Sequence, residues 1–120
     1  MARPVDFYRT AEENSYVEEF IDSLPAKTAQ KVVWVLQLVR DLDVIPSRYF
    51  LKLKSTDDIW ECRISFGSDI YRILCFWHNG NIILTHGFSK KTQKTPRQEI
   101  ERAEMLKKSY LARYKGKSNG

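Results

Sequence analysis

The stretch IWECRISFGSDIYRILCFWHNGNIILTHGF, residues 59–88, decides the fold. From Ile59 to Phe66 its side chains alternate, with Trp60, Cys62, Ile64 and Phe66 to one side and Glu61, Arg63 and Ser65 to the other. That is the period of a strand with two unlike faces. Gly67-Ser68-Asp69 is turn chemistry, and Ile70 to Trp77 is a second β-prone run. Asn79-Gly80 is the strongest short hairpin signal, because both residues tolerate the positive φ that a two-residue turn needs. Asn81 to Phe88 then closes a three-stranded antiparallel meander.

Upstream, Leu51 and Leu53 alternate with Lys52 and Lys54 between Ser47 and Ile59, which reads as a brief edge strand or a loop. Before that, Ala29, Val32, Val33, Leu36 and Val39, widened by Val35, Leu38 and Leu42, form a helical stripe from Ala26 that Pro46 ends, and a mostly buried helix is expected. Ser15 with Glu18 three residues on is a capping box, and Val17, Phe20, Ile21 and Leu24 follow at helical spacing until Pro25. These two helices form an αα-hairpin, and Val5 to Tyr8 reads as a first strand.

Downstream, GFSKKTQKTP, residues 87–96, breaks the last strand into three lysines and restarts as a helix. Thr95 is expected to cap it, with Pro96 first, Gln98 at N3, and Ile100, Ala103, Leu106 and Tyr110 as its apolar stripe. The fold class is therefore α+β: an N-terminal strand, a helical hairpin, a three- or four-stranded antiparallel sheet and a C-terminal helix, β-α-α-β-β-β-α. A single domain over residues 1–114 is expected, with 115–120 (KGKSNG) a tail without fixed structure. The hairpin covers one sheet face, which leaves the face of Glu61 and Arg63 open to a ligand.

Of the 120 residues 42% are hydrophobic and 29% charged, as in soluble globular proteins. No apolar run approaches the ~20 residues of a membrane span and no secretory h-region is visible, so a cytoplasmic protein without membrane contact is expected. Cys62 and Cys75 lack metal or redox spacing and read as buried free thiols. The net charge of +5 is unevenly spread. Residues 1–30 carry three cationic against six acidic side chains, and residues 87–120 carry ten against three. Such polarity favours a polyanion or an acidic protein.

Arg63 and Arg72 become neighbours if register and facing agree. Amid the apolar run Tyr71-Arg72-Ile73, Arg72 is costly unless it pairs with Glu61 or Asp69 or meets an anion, and Glu61 can equally be an exposed partner of Arg63. Lys90, Lys91 and Lys94 are either solvated or a phosphate cradle beside a helix N-terminus. A lysine crowded by other cations has a lowered pKa and can accept a proton. His86 alternates with Ile82, Leu84 and Phe88 and reads as a satisfied core histidine, and His78 as a turn residue. Nucleophile elbows, phosphate loops and HExxH are missing from the sequence, and no metal or cofactor is expected. Arg, Lys and Glu suit RNA cleavage by the adjacent 2′-OH, which needs a proton acceptor, a stabilised pentacoordinate phosphate and a proton donor.

Trp60-Glu61-Cys62-Arg63, Tyr71-Arg72-Ile73-Leu74, His86-Gly87-Phe88 with KKTQKTP, and Glu99-Ile100 with Ala103 together resemble the phage Gp49-like branch of the HigB toxins. These belong to the RelE/ParE superfamily of type II toxin–antitoxin systems, and the likeness runs from about Val5 to Tyr114. The branch usually has leucine where Cys62 stands, on the strand face away from Glu61 and Arg63. The resemblance implies a RelE/ParE-like fold and a ribosome-dependent mRNA endoribonuclease, an mRNA interferase that stops translation. It also implies the ribosome and mRNA as partners, and a cognate antitoxin, often a helix-turn-helix protein from a neighbouring gene. By position, Glu61, Arg63, Arg72, Lys90 and Lys91 match the catalytic set, with Glu61 or a lysine as proton-transfer candidates. Lys52, Lys54, Lys94 and Arg97 are expected to add RNA or ribosome contacts. The alternatives are a ParE-like inhibitor of DNA gyrase and a non-catalytic basic nucleic-acid- or ribosome-binding domain.

Overall fold

In the computed structural model, residues 3–90 and 94–118 are described, with side chains for all of these except 90 and 115–118. Asn79 and Gly80 sit at φ +52° and +81°, the left-handed pair their turn requires, and fold β4 (Asp69–His78) back onto β5 (Asn81–Lys90). Gly67, at φ +63°, does the same between β3 (Trp60–Phe66) and β4, whose ladder closes on the Phe66–Asp69 pair. The undecided Leu51 region forms a short edge strand, β2 (Phe50–Lys52), antiparallel to β3. The first strand, β1 (Val5–Phe7), returns to lie parallel to β5. The sheet is thus five-stranded and mixed, in the order β1-β5-β4-β3-β2.

The helical hairpin is α1 (Tyr16–Asp22) and α2 (Ala26–Asp41). Ser15 Oγ accepts the Glu18 N–H at 3.1 Å, the bond that a capping box provides. α2 ends at Asp41, well before Pro46, because its last carbonyls find other donors. The Arg3 N–H reaches Arg40 O at 2.8 Å, and the Arg3 guanidinium reaches Val39 O and Asp43 O. α2 is also less buried than expected: Thr28, Val32, Val35 and Val39 face inward, while Val33 and Trp34 face out. The inward stripe packs with Val17 on Phe50, Cys62, Ile64, Ile73, Cys75, Ile82 and Leu84. Cys62 and Cys75 are free and buried there.

The expectation of an open second sheet face is overturned. The final helix, α3 (Arg97–Ser118), lays Ala103 and Leu106 on Leu74, Phe76, Ile83, Phe88 and Ile59. An amphipathic helix this long must bury its stripe, and the only sheet face not already covered was this one. It begins one residue after the expected start, with Pro96 O accepting from Ile100 N, and its backbone runs on past Lys115.

A bulge in β5 corrects a second expectation. Leu74 pairs with His86 but Cys75 pairs with Leu84, so Thr85 is the extra residue. Ile82 and Leu84 therefore join the α2-side core, whereas His86 and Phe88 turn toward α3. Strict alternation had put all four on one side.

Gly87 shows how tightly α1 meets the sheet: a Cβ built there would lie 2.3 Å from the Phe20 ring. Gly87→Ala should destabilise the fold by about 1–3 kcal/mol through overpacking. The check is a urea melt, in which the midpoint should fall with an unchanged slope.

Candidate functional site

The β3–β4 register sets Arg63 directly across from Arg72. Two guanidinium groups facing each other on one pair of strands repel unless something stands between them. Glu61 does so, two residues from Arg63 on the same face. Its Oε2 accepts from Arg63 Nε at 2.9 Å and lies 2.9 Å from Arg63 Nη2 in an ion pair, while Oε1 lies 3.6 Å from Arg72 Nε. Oε1 also accepts a hydrogen bond from the Thr95 hydroxyl, which ties the segment leading into α3 to the sheet. Glu61 and Arg72 have no exposed surface and Thr95 almost none, because Leu51 and Leu74 flank Glu61 in the ladder and α3 roofs this face. Both ion pairs considered from sequence, Arg72 with Glu61 and Glu61 with Arg63, are present together.

Burial pushes the Arg72 pKa down, Glu61 pulls it back up, and Arg63 lowers it again. An arginine stays protonated through such shifts. Two guanidinium groups around one carboxylate leave a surplus positive charge among these three, and it is felt at Arg63, whose side chain is 23% exposed. Glu61 occupies the Nε/Nη2 edge of Arg63. The other edge, led by Nη1, has no partner among the described residues. A guanidinium held on one edge by a buried carboxylate and open on the other is a pre-oriented anion receptor.

The remaining candidates are more scattered. Lys90 is described by its backbone, opposite Ile70 and two register steps beyond the Arg72–Phe88 pair, and Lys91 lies outside the described residues. Lys52 pairs with Trp60, on the α2-side face rather than that of Glu61, and its ammonium lies 3.4 Å from Asp58. Lys54 is exposed in the turn after β2, and Lys94 is exposed just before Thr95. Arg97 makes a surface pair with Glu101 at 3.4 Å. The structure thus joins Glu61, Arg63 and Arg72, and puts Lys52 on the opposite side. Among the described residues no cluster of His, Cys, Asp or Glu has the grouping to hold a metal, and no helix is long and apolar enough to cross a membrane.

Thr95 was legible as a helix cap but not as the partner of a carboxylate 34 positions away. Nothing in the local sequence signals that contact, which exists because α3 folds back over the sheet.

His86 is 1% exposed and bonded on both sides, 3.2 Å from Thr85 Oγ1 through Nδ1 and 3.2 Å from Glu99 Oε1 through Nε2. Thr85 donates its own proton to Leu74 O, so it can accept from Nδ1, and a neutral ring has one N–H for two acceptors. Burial pushes the His86 pKa below its usual 6.5; the nearby Arg102 charge adds to this and Glu99 opposes it. Above about pH 6.5 the ring is neutral folded or unfolded and contributes no slope. As pH falls below that, the unfolded ring takes up a proton the folded one resists, so stability drops toward the folded pKa. Melts of the wild type between pH 7.5 and 5 should show this loss, and His86→Gln should flatten it.

A mixed five-stranded sheet between a helical hairpin and a C-terminal helix is an α+β arrangement of the RelE type. The fold matches a chain of the archaeal RelE–RelB complex from Pyrococcus horikoshii OT3, with a TM-score of 0.50 and 16% identity over 78% of this chain and 100% of that one. Residues 19–108 match the family model Phage derived protein Gp49-like. The chain belongs to that family, a RelE-like toxin family. No curated protein matches it.

Proposed function

We propose that the chain is the toxin of a type II toxin–antitoxin pair and acts in the cytoplasm as a ribosome-dependent mRNA endoribonuclease. The observation that carries this reading is the half-open guanidinium of Arg63, fixed on Glu61 and facing outward on a basic protein. In the reaction, the 2′-oxygen attacks the adjacent phosphorus as its proton leaves to an acceptor. The bond to the 5′-oxygen breaks and that oxygen takes up a proton, giving a 2′,3′-cyclic phosphate and a 5′-hydroxyl end. Arg63 stabilises the charge that grows on the phosphoryl oxygens. Arg72 and Glu61 act through it: the carboxylate orients the fork, and the buried guanidinium adds positive potential from below.

Glu61, already accepting from Arg63 and Thr95, is a poor proton acceptor, and His86 is shut off from substrate. Proton transfer then falls to Lys90 or Lys91, the candidates that follow β5. Lys54, Lys94 and Arg97, exposed cations, serve contacts with RNA or the ribosome, and Lys52 does so from the other side of the sheet. The ribosome supplies the mRNA in position, which relieves so small a protein of sequence readout and lowers the barrier by orientation. The antitoxin, a product of the same operon, holds the activity in check.

Primer extension on mRNA from cells expressing the chain tests the reading. Codon-phased cuts with 5′-hydroxyl ends are expected. Intact mRNA with an SOS response and DNA breaks would assign the chain to gyrase inhibition instead, and harmless overexpression would leave a basic binding domain.

A further inference from the structure

Where β1 ends, the chain that follows it meets the C-terminal part of α3 around a cavity of about 240 Å³. Phe7, Tyr110 and Tyr114 supply aromatic lining, and Thr10, Glu13 and Arg113 polar lining. The His78 ring packs on both tyrosines, and six residues of β4 separate it from Arg72, about 20 Å at the rise of a strand. The cavity is therefore separate from the arginine cluster.

Its walls are held in place. The Thr10 N–H bonds Asn14 O and the Glu13 N–H bonds Thr10 O, both at 2.9 Å, which closes the loop on one side. Tyr114 is 44% exposed, yet its ring meets His78 edge to face at 4.3 Å and its hydroxyl lies 3.3 Å from Asn79 Nδ2. Fixed aromatic walls reduce the ordering cost of binding. Drug-sized ligands fill ~300–1,000 Å³, so this smaller space suits a single ring system.

The charges narrow the ligand further. Arg113 stands 4.9 Å over the Tyr8 ring and spends Nη2 on Arg9 O. Three turns earlier on the same flank of α3, Arg102 stands 4.8 Å over Tyr16, which stacks on Tyr8 at 6.2 Å. No carboxylate pairs with either arginine among the described residues, so both cations are available to anions. They are about 16 Å apart along the helix, too far to share one phosphate and suited to a chain of them. Glu13 disfavours an anion inside the cavity itself and offers an acceptor to N–H groups. A flat ring with N–H donors on its edge, joined to a run of phosphates, is a base of a single strand.

We propose that this cavity takes one unpaired nucleotide of a single-stranded RNA, its base against Tyr110 and Tyr114, its phosphate on Arg113, and the strand continuing along α3 toward Arg102. The cavity carries the nucleotide; the choice of RNA over DNA rests on the function proposed above.

The test is fluorescence anisotropy on a labelled mixed-sequence RNA decamer without ribosomes, so its outcome does not depend on whether the chain cuts mRNA. An abasic decamer, a DNA decamer and AMP are competitors, and melts confirm that each variant folds. Tyr114→Ala should weaken RNA binding by about 10-fold or more, and removing the bases should do the same. Tyr114→Phe, which keeps the ring, should bind as the wild type does. Arg113→Gln should lower the slope of log affinity against log salt by about 1. Absence of binding, unchanged affinity in folded Tyr114→Ala, or an abasic decamer that competes as well as the normal one overturns the proposal. AMP or the DNA decamer competing as well as unlabelled RNA overturns the assignment to an RNA strand.

Discussion

Arg63→Gln should lower mRNA cleavage by about 10²–10³-fold, the usual cost of removing one donor aimed at transition-state charge, while the protein stays folded. Two features make this the sharpest functional variant. Arg63 is the partly exposed member of its cluster, so it is the group a phosphate can reach. Glutamine keeps an N–H for Glu61 and removes the charge and the outward edge. Growth on induction and single-turnover cleavage on ribosomes should both report the loss, with an unchanged melting temperature to within a few degrees. A folded Arg63→Gln variant that cuts at the wild-type rate would move the chemistry elsewhere in the chain.

Glu61→Gln should act differently, by unfolding. The carboxylate is fully buried, takes one hydrogen bond from Arg63, with which it is ion-paired, and one from Thr95, and faces the buried guanidinium of Arg72. Removing its charge leaves Arg72 and Arg63 opposed across the ladder, and breaking a buried pair from one side costs about 3–5 kcal/mol. Small domains have only about 5–15 kcal/mol of stability, so soluble yield should collapse. Adding Arg72→Gln should restore much of the loss, because the second change removes the charge that the first stranded. A general base behaves otherwise: Glu61→Gln would then be stable and inactive, and Arg72→Gln would rescue nothing. Denaturant melts of the single and double variants separate the two outcomes.

The strands were readable because their signals are local. Alternation around Arg63 and Arg72 needs no tertiary information, nor does the Asn79-Gly80 turn, and together they bring the two arginines level. The capping box at Ser15 is local too. What was not readable depends on closure. Whether Glu61 faces solvent or the underside of a helix depends on where α3 lands, and α3 is separated from β3 by two whole strands. The facing of His86 rests on one extra residue, Thr85, which breaks the period-two pattern without any turn residue to announce it. The facing of Lys52 could not be read either: its alternation with Leu51 was plain, but only the pairing of Phe50 with Cys62 says which of the two shares a face with Glu61.

The parallel pairing of β1 with β5 has a consequence for how the chain is made. Val5 leaves the ribosome well before its partner Ile82, which is synthesised only after both helices of the hairpin and three further strands. Contacts so distant in sequence form slowly and late. α3, which closes over Glu61 and Thr95, comes later still. During its own translation the polypeptide therefore lacks both the last strand pairing and the roof over its charged cluster. The cluster of Glu61, Arg63 and Arg72 is enclosed only once α3 has been made, whatever order the other contacts form in.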